Sequence, residues 1–327
     1  MQSASARPPC RRTARLAAVA GLLVLGAVTT GTVYVQAQAH PGGRAVSSAP
    51  TASASHRGTS PASGEASLEP VAPPTKEDHD ALLAAAMRTV DVADGADVSV
   101  AVLDMDSGRS AAYGDGTFDT ASIVKVDILA ALLLRAQDAG RLLTAAERAY
   151  ATAMIEHSDN DSASALWEAV GRAAGLDSAN ERFGLTGTSG GDGTLWGLTQ
   201  TTAADQLRLL RQVFGDDSVL NTASQTYLKG LMKGIAAGQR WGVSAVADGT
   251  GWALKNGWLP RSATGLWDIN SIGRVTVDGR DYLVAALSQG NATKEAGVTL
   301  VETAARAAVS VFTGDATARA SASAGAS

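Results

Sequence analysis

The order in which strand and helix patterns follow one another constrains the fold of this chain most strongly. Over 97–114 apolar and polar residues alternate around an Asp-Ser-Gly turn, which is typical of a β-hairpin. Helical periodicity then dominates 122–214, and strand patterns return over 253–288. Helical segments at 76–90 and 293–312 flank these regions. The order predicts an α+β fold: an antiparallel five-stranded sheet flanked by N- and C-terminal helices, with an inserted all-helical subdomain.

The individual segments of this fold can be placed from their periodicity. The predicted helices of the insertion are Asp127–Ala139, Thr144–Glu156, Ser162–Ala173 and Ala203–Phe214, and the predicted later strands are Ala253–Leu259, Leu266–Val277 and Tyr282–Ser288. An Asp-Gly turn joins the last two strands. We expect a ligand site in the cleft between the sheet and the insertion.

Residues 1–39 have the organisation of an export signal. Arginines between residues 11 and 15 precede an apolar run over 16–35, and an Ala-Gln-Ala segment ends at Ala39. The apolar run is longer than most signal sequences carry, so an uncleaved membrane anchor is the alternative. Both interpretations predict an extracytoplasmic protein, either secreted or held in the cell envelope by a membrane tether.

The composition outside the central region predicts disorder. Eight of the nine prolines precede residue 75, and residues 40–75 are rich in Ser, Ala, Pro, Gly and Thr. Such a segment buries too little apolar surface to offset the entropy of ordering, so 40–75 is predicted to be a disordered linker. The same reasoning predicts a disordered tail over 314–327. The folded domain is then 76–313.

Charge and cysteine content exclude several classes of function. The chain has 27 Lys and Arg against 32 Asp and Glu, and six arginines lie within 1–64, where there is no acidic residue. The folded domain is therefore acidic, whereas a nucleic-acid partner requires clustered basic residues. The single cysteine, Cys10, lies in the leader, and only His79 and His157 follow residue 64, which leaves too few ligands for a zinc site. We expect a monomer without metal or organic cofactor.

Three short polar segments are candidates for chemistry. Ser122 and Lys125 open the helical insertion, three residues apart and so on one helical face. A neutral lysine can accept the proton of a serine nucleophile, although an exposed Ser and Lys at a helix start is an equally ordinary interpretation. Ser158-Asp159-Asn160 lies between two helices, where an N-cap would explain it. Lys255 interrupts an apolar strand, where an edge-strand lysine would explain it.

Taken together, these segments are S-x-x-K, S-D-N and K-x-G in that order, and they resemble the signature of class A β-lactamases and penicillin-binding proteins. The resemblance covers about 76–313. It implies that Ser122 is the acylated nucleophile and Lys125 its proton acceptor. It further implies that Ser158 passes a proton to the leaving nitrogen, that Asn160 holds the substrate amide and Lys125, and that Lys255 attracts the substrate carboxylate.

The same resemblance implies that the backbone N–H groups of Ser122 and Trp258 form an oxyanion hole, with Asn256 and Gly257 beside the substrate. Asn256 stands where the family usually has Thr or Ser. The E-x-x-L-N segment that supplies the deacylating glutamate of class A β-lactamases does not occur between Asn160 and residue 207.

The resemblance therefore predicts an exported serine hydrolase acylated at Ser122 by a β-lactam or a D-alanyl amide. The missing glutamate leaves two alternatives: a D-Ala-D-Ala carboxypeptidase or transpeptidase-like cell-wall enzyme, or a β-lactam- or muropeptide-binding protein without efficient turnover. The partner is then a β-lactam or a peptidoglycan stem peptide.

Two further patterns compete with this interpretation. Gly-Thr-Ser-Gly-Gly around Ser189 matches the nucleophile elbow of α/β-hydrolases, but no histidine follows His157 to complete that triad, so we expect a flexible loop. His157 beside the S-D-N segment is a second candidate base for Ser122, although a polar helix end explains it as well. Six tryptophans could line a sugar- or peptide-binding cleft, although core packing explains most of them, with Trp258 beside the oxyanion donor as the exception.

Overall fold

The computed structural model describes residues 76–324, and side chains over 78–313. Its centre is a five-stranded antiparallel sheet in the order β2-β1-β7-β6-β5. The strands are β1 (Asp97–Asp104), β2 (Ser110–Tyr113), β5 (Trp252–Pro260), β6 (Trp267–Val277) and β7 (Arg280–Asn291). Two short strands, β3 (Phe118–Asp119) and β4 (Gln200–Thr201), pair separately. The predicted α+β architecture is confirmed, and β5 is an edge strand.

Eight helices surround the sheet in the described part of the chain. They are α1 (Lys76–Met87), α2 (Val124–Asp138), α3 (Ala145–Glu156), α4 (Asn160–Val170), α5 (Arg172–Phe183), α6 (Ala203–Phe214), α7 (Thr222–Lys233) and α8 (Lys294–Ala324). Helices α2–α7 form the insertion between β2 and β5.

The two faces of the sheet carry separate cores, and β1 shows why. Successive side chains of a strand point to opposite faces. Ala101 and Leu103 pack with the buried residues of the helical insertion, whereas Val100 and Val102 pack with α1 and α8. A strand buried on both faces is apolar throughout, and Val100–Leu103 fits this description. The sheet therefore presents one face to the insertion and one to the terminal helices.

The last helix, α8, continues to Ala324, so its end lies within 314–327, for which the composition predicts a disordered tail. The added segment is rich in alanine, the strongest helix former, and a helix that is already nucleated extends at little cost. The predicted leader and linker, 1–39 and 40–75, lie outside the described residues. Within the part that is described, none of the helices has the length and apolar character needed to span a membrane.

Candidate active site

Ser122 lies in a strained turn at the start of α2. A short 3₁₀ turn, Ala121–Ile123, leads directly into the helix, and Ala121 has a φ of 47°. A non-glycine residue in this left-handed region costs about 1 kcal/mol, and such strain is common at functional turns. The turn leaves Ser122 half-buried, while Lys125, one turn further along, is fully buried.

The connection between α3 and α4 brings Ser158 and Asn160 to Lys125. Ser158 has a φ of 57°, and the Asp159 carboxylate then caps α4 by accepting from the Ser162 backbone N–H at 2.7 Å. The Lys125 amine donates to the backbone oxygen and Oγ of Ser158 at 2.7 and 3.1 Å, and to Oδ1 of Asn160 at 2.8 Å. Asp159 thus has the helix-capping role that its residue type predicts, and the residues on either side of it bind the lysine.

Lys255 reaches the same hydroxyl from the sheet. Its side chain is fully buried although β5 is an edge strand, so it does not have the solvent-facing role of an edge lysine. Nζ donates to Ser158 Oγ at 3.1 Å and to the Asn256 backbone oxygen at 2.9 Å. Ser158 Oγ is therefore contacted by the amines of Lys125 and Lys255 at equal distances.

Burial disfavours the protonated, charged form of both lysine amines. Desolvation lowers the pKa of Lys125 to about 7, against an opposing attraction from the Asp159 carboxylate. Burial also lowers the pKa of Lys255 well below its usual value, and the neighbouring Lys125 lowers it further. Lys125 can thus serve as a base near neutral pH. The two amines repel each other when both are protonated.

Gly257 allows the sheet to approach the serine turn closely. A Cβ atom on Gly257 would lie 2.8 Å from the Thr120 carbonyl oxygen and 2.9 Å from the Ser122 backbone nitrogen. Both distances are below any normal contact, so only glycine fits here. The backbone of β5 therefore runs directly against the start of α2. The next residue, Trp258, lines the same cavity as Ser122.

The side chains of Asn256 and Trp258 have different surroundings. Asn256 is fully buried: Nδ2 donates to the backbone oxygens of Gln239 and Trp241, and Oδ1 accepts from Ser271 Oγ at 2.6 Å. All polar atoms of this side chain therefore have partners within the protein, and its place beside the substrate stays a prediction. The Trp258 ring packs near Trp241, with ring centroids 6.0 Å apart.

A cavity of about 520 Å³ opens beside Ser122, with Asn160, Trp196 and Trp258 among its lining residues. A second cavity, near Leu143 and Tyr227, contains none of the predicted site residues. The sequence did not single out Trp196, whose ring centroid lies 4.9 Å from Lys125 Nζ. Its position at the end of a glycine-rich loop gave no periodic signal.

The competing candidates occupy other positions. Ser189 is exposed, and its backbone exchanges hydrogen bonds with Gln200 at 3.0 and 2.9 Å, so this loop is tied to its neighbour rather than free. His157 is exposed and forms the C-terminal cap of α3. Both observations favour structural roles for these two residues.

Comparison with protein-family models identifies the family to which the chain belongs. A model described as the β-lactamase enzyme family matches residues 146–312, which is just over half of the chain. The chain belongs to the β-lactamase enzyme family. The matched part of this β-lactamase-family protein contains Ser158, Asn160 and Lys255, and it begins after Ser122 and Lys125.

Solved structures support the fold of this β-lactamase-family protein. The TLA-3 extended-spectrum β-lactamase has 16% identity and a TM-score of 0.61, over 71% of this chain and 98% of that one. PBP-A has 20% identity and a TM-score of 0.61, over 71% and 96%. A class A β-lactamase representative from Bacteroides cellulosilyticus DSM 14838 has 16% identity and a TM-score of 0.60, over 72% and 98%. No curated protein matches the chain in sequence.

Proposed function

We propose that this protein is an exported serine hydrolase, acylated at Ser122 by a β-lactam or a D-alanyl amide. The observation that carries the proposal is the convergence of the Lys125 and Lys255 amines on Ser158 Oγ, each at 3.1 Å. Two buried lysines on one hydroxyl are costly to maintain for stability alone, because both amines lose hydration. Their arrangement is suited to moving protons between a nucleophile and a leaving group.

In the proposed acylation, the neutral Lys125 amine accepts the proton of Ser122 Oγ as the oxygen attacks the substrate carbonyl carbon. The backbone N–H groups of Ser122 and Trp258 stabilise the negative charge that develops on the carbonyl oxygen. The carbon–nitrogen bond then breaks. Ser158 gives its proton to the leaving nitrogen and recovers one from the Lys125 ammonium, with which it is hydrogen-bonded.

Substrate binding is assigned to Asn160 and Lys255. Asn160 lines the cavity, and its Oδ1 holds the Lys125 amine, which leaves its amide nitrogen for the substrate. In this proposal Lys255 pairs with a substrate carboxylate across Ser158, and such a charge-assisted contact is stronger than a neutral one. Gly257 allows β5 to lie close to the serine turn, and the hydrogen bonds of the Asn256 side chain fix β5 on the side away from the cavity.

A specific feature favours a second candidate, in which the protein is acylated but turns over slowly. Within 187–197, the only acidic residue is Asp192, which is exposed. No carboxylate in this loop is therefore placed to activate water for deacylation. Slow release suits a D-Ala-D-Ala carboxypeptidase or transpeptidase-like enzyme, or a β-lactam- or muropeptide-binding protein.

The test combines intact-protein mass after penicillin G treatment with turnover of nitrocefin. We expect a covalent adduct in the wild-type protein and none in Ser122→Ala. Steady nitrocefin hydrolysis that depends on Ser122 identifies a β-lactamase, whereas a lasting adduct with little turnover identifies the second candidate. An adduct that forms equally in Ser122→Ala contradicts the assignment of the nucleophile.

The basic and apolar leader supports export or a membrane tether, because cell-wall substrates lie outside the cytoplasm. Fractionation of cells that produce the full chain tests this part of the proposal. Recovery of the protein in the cytoplasm with an intact leader would contradict it.

A further inference from the structure

Trp196 forms part of the wall beside the proposed base. It begins the 3₁₀ turn Trp196–Leu198 at the end of the glycine-rich loop, and it is half-buried against the helical core. Its ring centroid lies 4.9 Å from Lys125 Nζ, within the range of a cation–π contact. The same ring lines the cavity into which Ser122 opens.

The indole ring is held in this position from two sides. Its Nε1 donates to Ser164 Oγ on α4 at 3.1 Å. The backbone on its other side is fixed to the serine turn, because the Thr120 N–H donates to the Thr199 oxygen at 2.9 Å. Gly197 also lies against Ala121, since a Cβ atom there would come within 4.0 Å of the Ala121 Cα. The ring and the nucleophile turn therefore form one connected unit.

This arrangement leaves little room for water at the Lys125 amine. Lys125 is fully buried, three oxygens of Ser158 and Asn160 lie within hydrogen-bond distance of its amine, and the Trp196 ring lies on the cavity side. The charged groups that act on the amine are Asp159, from the start of α4, and Lys255, from β5. The Asp159 carboxylate also accepts from the Ser162 backbone N–H at 2.7 Å, which caps α4.

We propose that Trp196 is a positioning residue whose ring covers the Lys125 amine and keeps water from it, so that an acyl group on Ser122 is long-lived. The inference rests on the proposed acylation. Release requires a water oxygen to attack the ester carbonyl carbon and the bond from that carbon to Ser122 Oγ to break. One water proton returns to Oγ through a base. With the amine covered, no base holds the water, and this step is slow.

The first test measures how long the penicillin G adduct lasts, by intact mass after excess ligand is removed. Trp196→Ala opens the amine to water, and at a pH above the Lys125 pKa of both proteins, where the amine is neutral, we expect its adduct to decay about 10-fold faster or more, a part of the roughly 100-fold that a positioned base supplies. Trp196→Phe keeps an aromatic cover and should stay near the wild type. Tyr150→Ala, which removes an exposed ring on α3, is the matched control.

The second test needs no acylation. The Lys125 side chain is labelled and its pKa is measured by NMR titration of the free protein. Because hydration of the ammonium outweighs the lost ring contact, Trp196→Ala should raise this pKa from about 7, and Trp196→Phe should leave it unchanged. An unchanged pKa in Trp196→Ala overturns the covering role.

The two readouts separate the inference from the proposed function. If the wild type forms no adduct but the pKa rises in Trp196→Ala, the proposed acylation fails and the covering role stands. If the wild type forms an adduct whose lifetime and the Lys125 pKa are both unaffected by Trp196→Ala, acylation stands and the covering role is wrong.

Discussion

At the scale of single residues, Lys125 shows how burial prepares a base. A fully hydrated lysine is protonated at neutral pH and accepts nothing, whereas desolvation lowers the pKa of Lys125 to about 7. Between pH 7 and 10.5 this lysine is neutral in the folded protein and protonated in the unfolded chain. Its burial therefore lowers the free energy of unfolding, by an amount that grows as pH falls through this range. Its chemistry and its energetic cost have the same cause.

The pH dependence of acylation follows from this shift. We expect the rate of adduct formation with penicillin G to reach a plateau above pH 7 and to fall roughly tenfold for each pH unit below it, as the base becomes protonated. Lys125→Ala should lower the plateau by about 100-fold or more. Rapid-quench mass spectrometry measures the rates, and the far-UV circular dichroism of the variant shows whether it is folded. A pH-independent rate in the wild type would remove Lys125 from this role.

Lys255 leads to a different prediction, because its amine is also deprived of water. Burial and the neighbouring Lys125 lower its pKa well below the usual value, so the empty site disfavours the ammonium form. A substrate carboxylate favours the ammonium form. Binding of a carboxylate should therefore take up a proton.

Calorimetry of Ser122→Ala with penicillin G, in two buffers of different ionisation enthalpy, measures this uptake. We expect a net uptake with penicillin G and none with its methyl ester, and Lys255→Ala should abolish the difference between the two ligands. Equal proton uptake with both ligands would contradict the pairing of Lys255 with the carboxylate.

At the scale of elements, the site depends on how closely β5 approaches the start of α2. Gly257 sets this distance, and Gly257→Ala would place a Cβ atom 2.8 Å from the Thr120 oxygen. The strand must then move away from the turn, which separates the two N–H groups of the proposed oxyanion hole. Loss of one oxyanion donor costs about 100-fold or more. We expect a loss of acylation of this size while the protein remains folded.

Gly230 in α7 offers the matched control, since a Cβ atom added there meets nothing within 4 Å. Gly230→Ala should leave acylation unchanged and stabilise the protein by about 0.5–1 kcal/mol, the usual gain from replacing a helical glycine. Normal acylation in Gly257→Ala would show that the close approach is not needed.

The elements also show what the sequence can predict and what it cannot. The hairpin of β1 and β2 and the helix α6 have strong local patterns, and their predicted bounds agree with the structure. Helix α7 is as long as α6 and is also amphipathic, yet it is not among the predicted helices. The 3₁₀ turns that follow it, Ala237–Gln239 and Gly242–Val246, are too short to show a repeat. Periodicity records only the contacts that repeat along one segment.

Some residues of the site could be predicted from a local sequence pattern, and others could not. Lys255 stands out in an apolar strand, so it could be singled out from the sequence. The roles of Asn256 and Trp196 depend on Ser271 and on Lys125, partners that are distant in the chain and are brought close only by the fold. No local pattern distinguishes an asparagine that braces a strand from one that binds a substrate.

At the scale of the whole molecule, the helical insertion contains a buried carboxyl group that the proposed chemistry does not use. Asp127, on α2, is fully buried, and neither of its oxygens has a hydrogen-bond partner within the described residues. Burial raises its pKa to about 8, an effect that the Asn180 side chain partly opposes and the carboxylates of Asp177 and Asp205 reinforce. The folded protein therefore holds this group protonated at neutral pH.

The stability of the whole fold should depend on pH accordingly. The folded pKa lies above the unfolded value of 3.8, so the folded state binds the extra proton between 3.8 and about 8, and the free energy of unfolding falls as pH rises through this range. Asp127→Asn is neutral at every pH and fits the same space. We expect it to raise the urea midpoint at pH 8 far more than at pH 4.

The matched control is Asp161→Asn, which changes an exposed carboxylate in the first turn of α4. It should shift the urea midpoint by a similar small amount at both pH values, because an exposed carboxylate keeps its hydration. Equal effects of Asp127→Asn at pH 4 and pH 8 would mean that the Asp127 carboxylate is ionised in the folded protein at no cost, and the core of the insertion would then have to admit water beside α2.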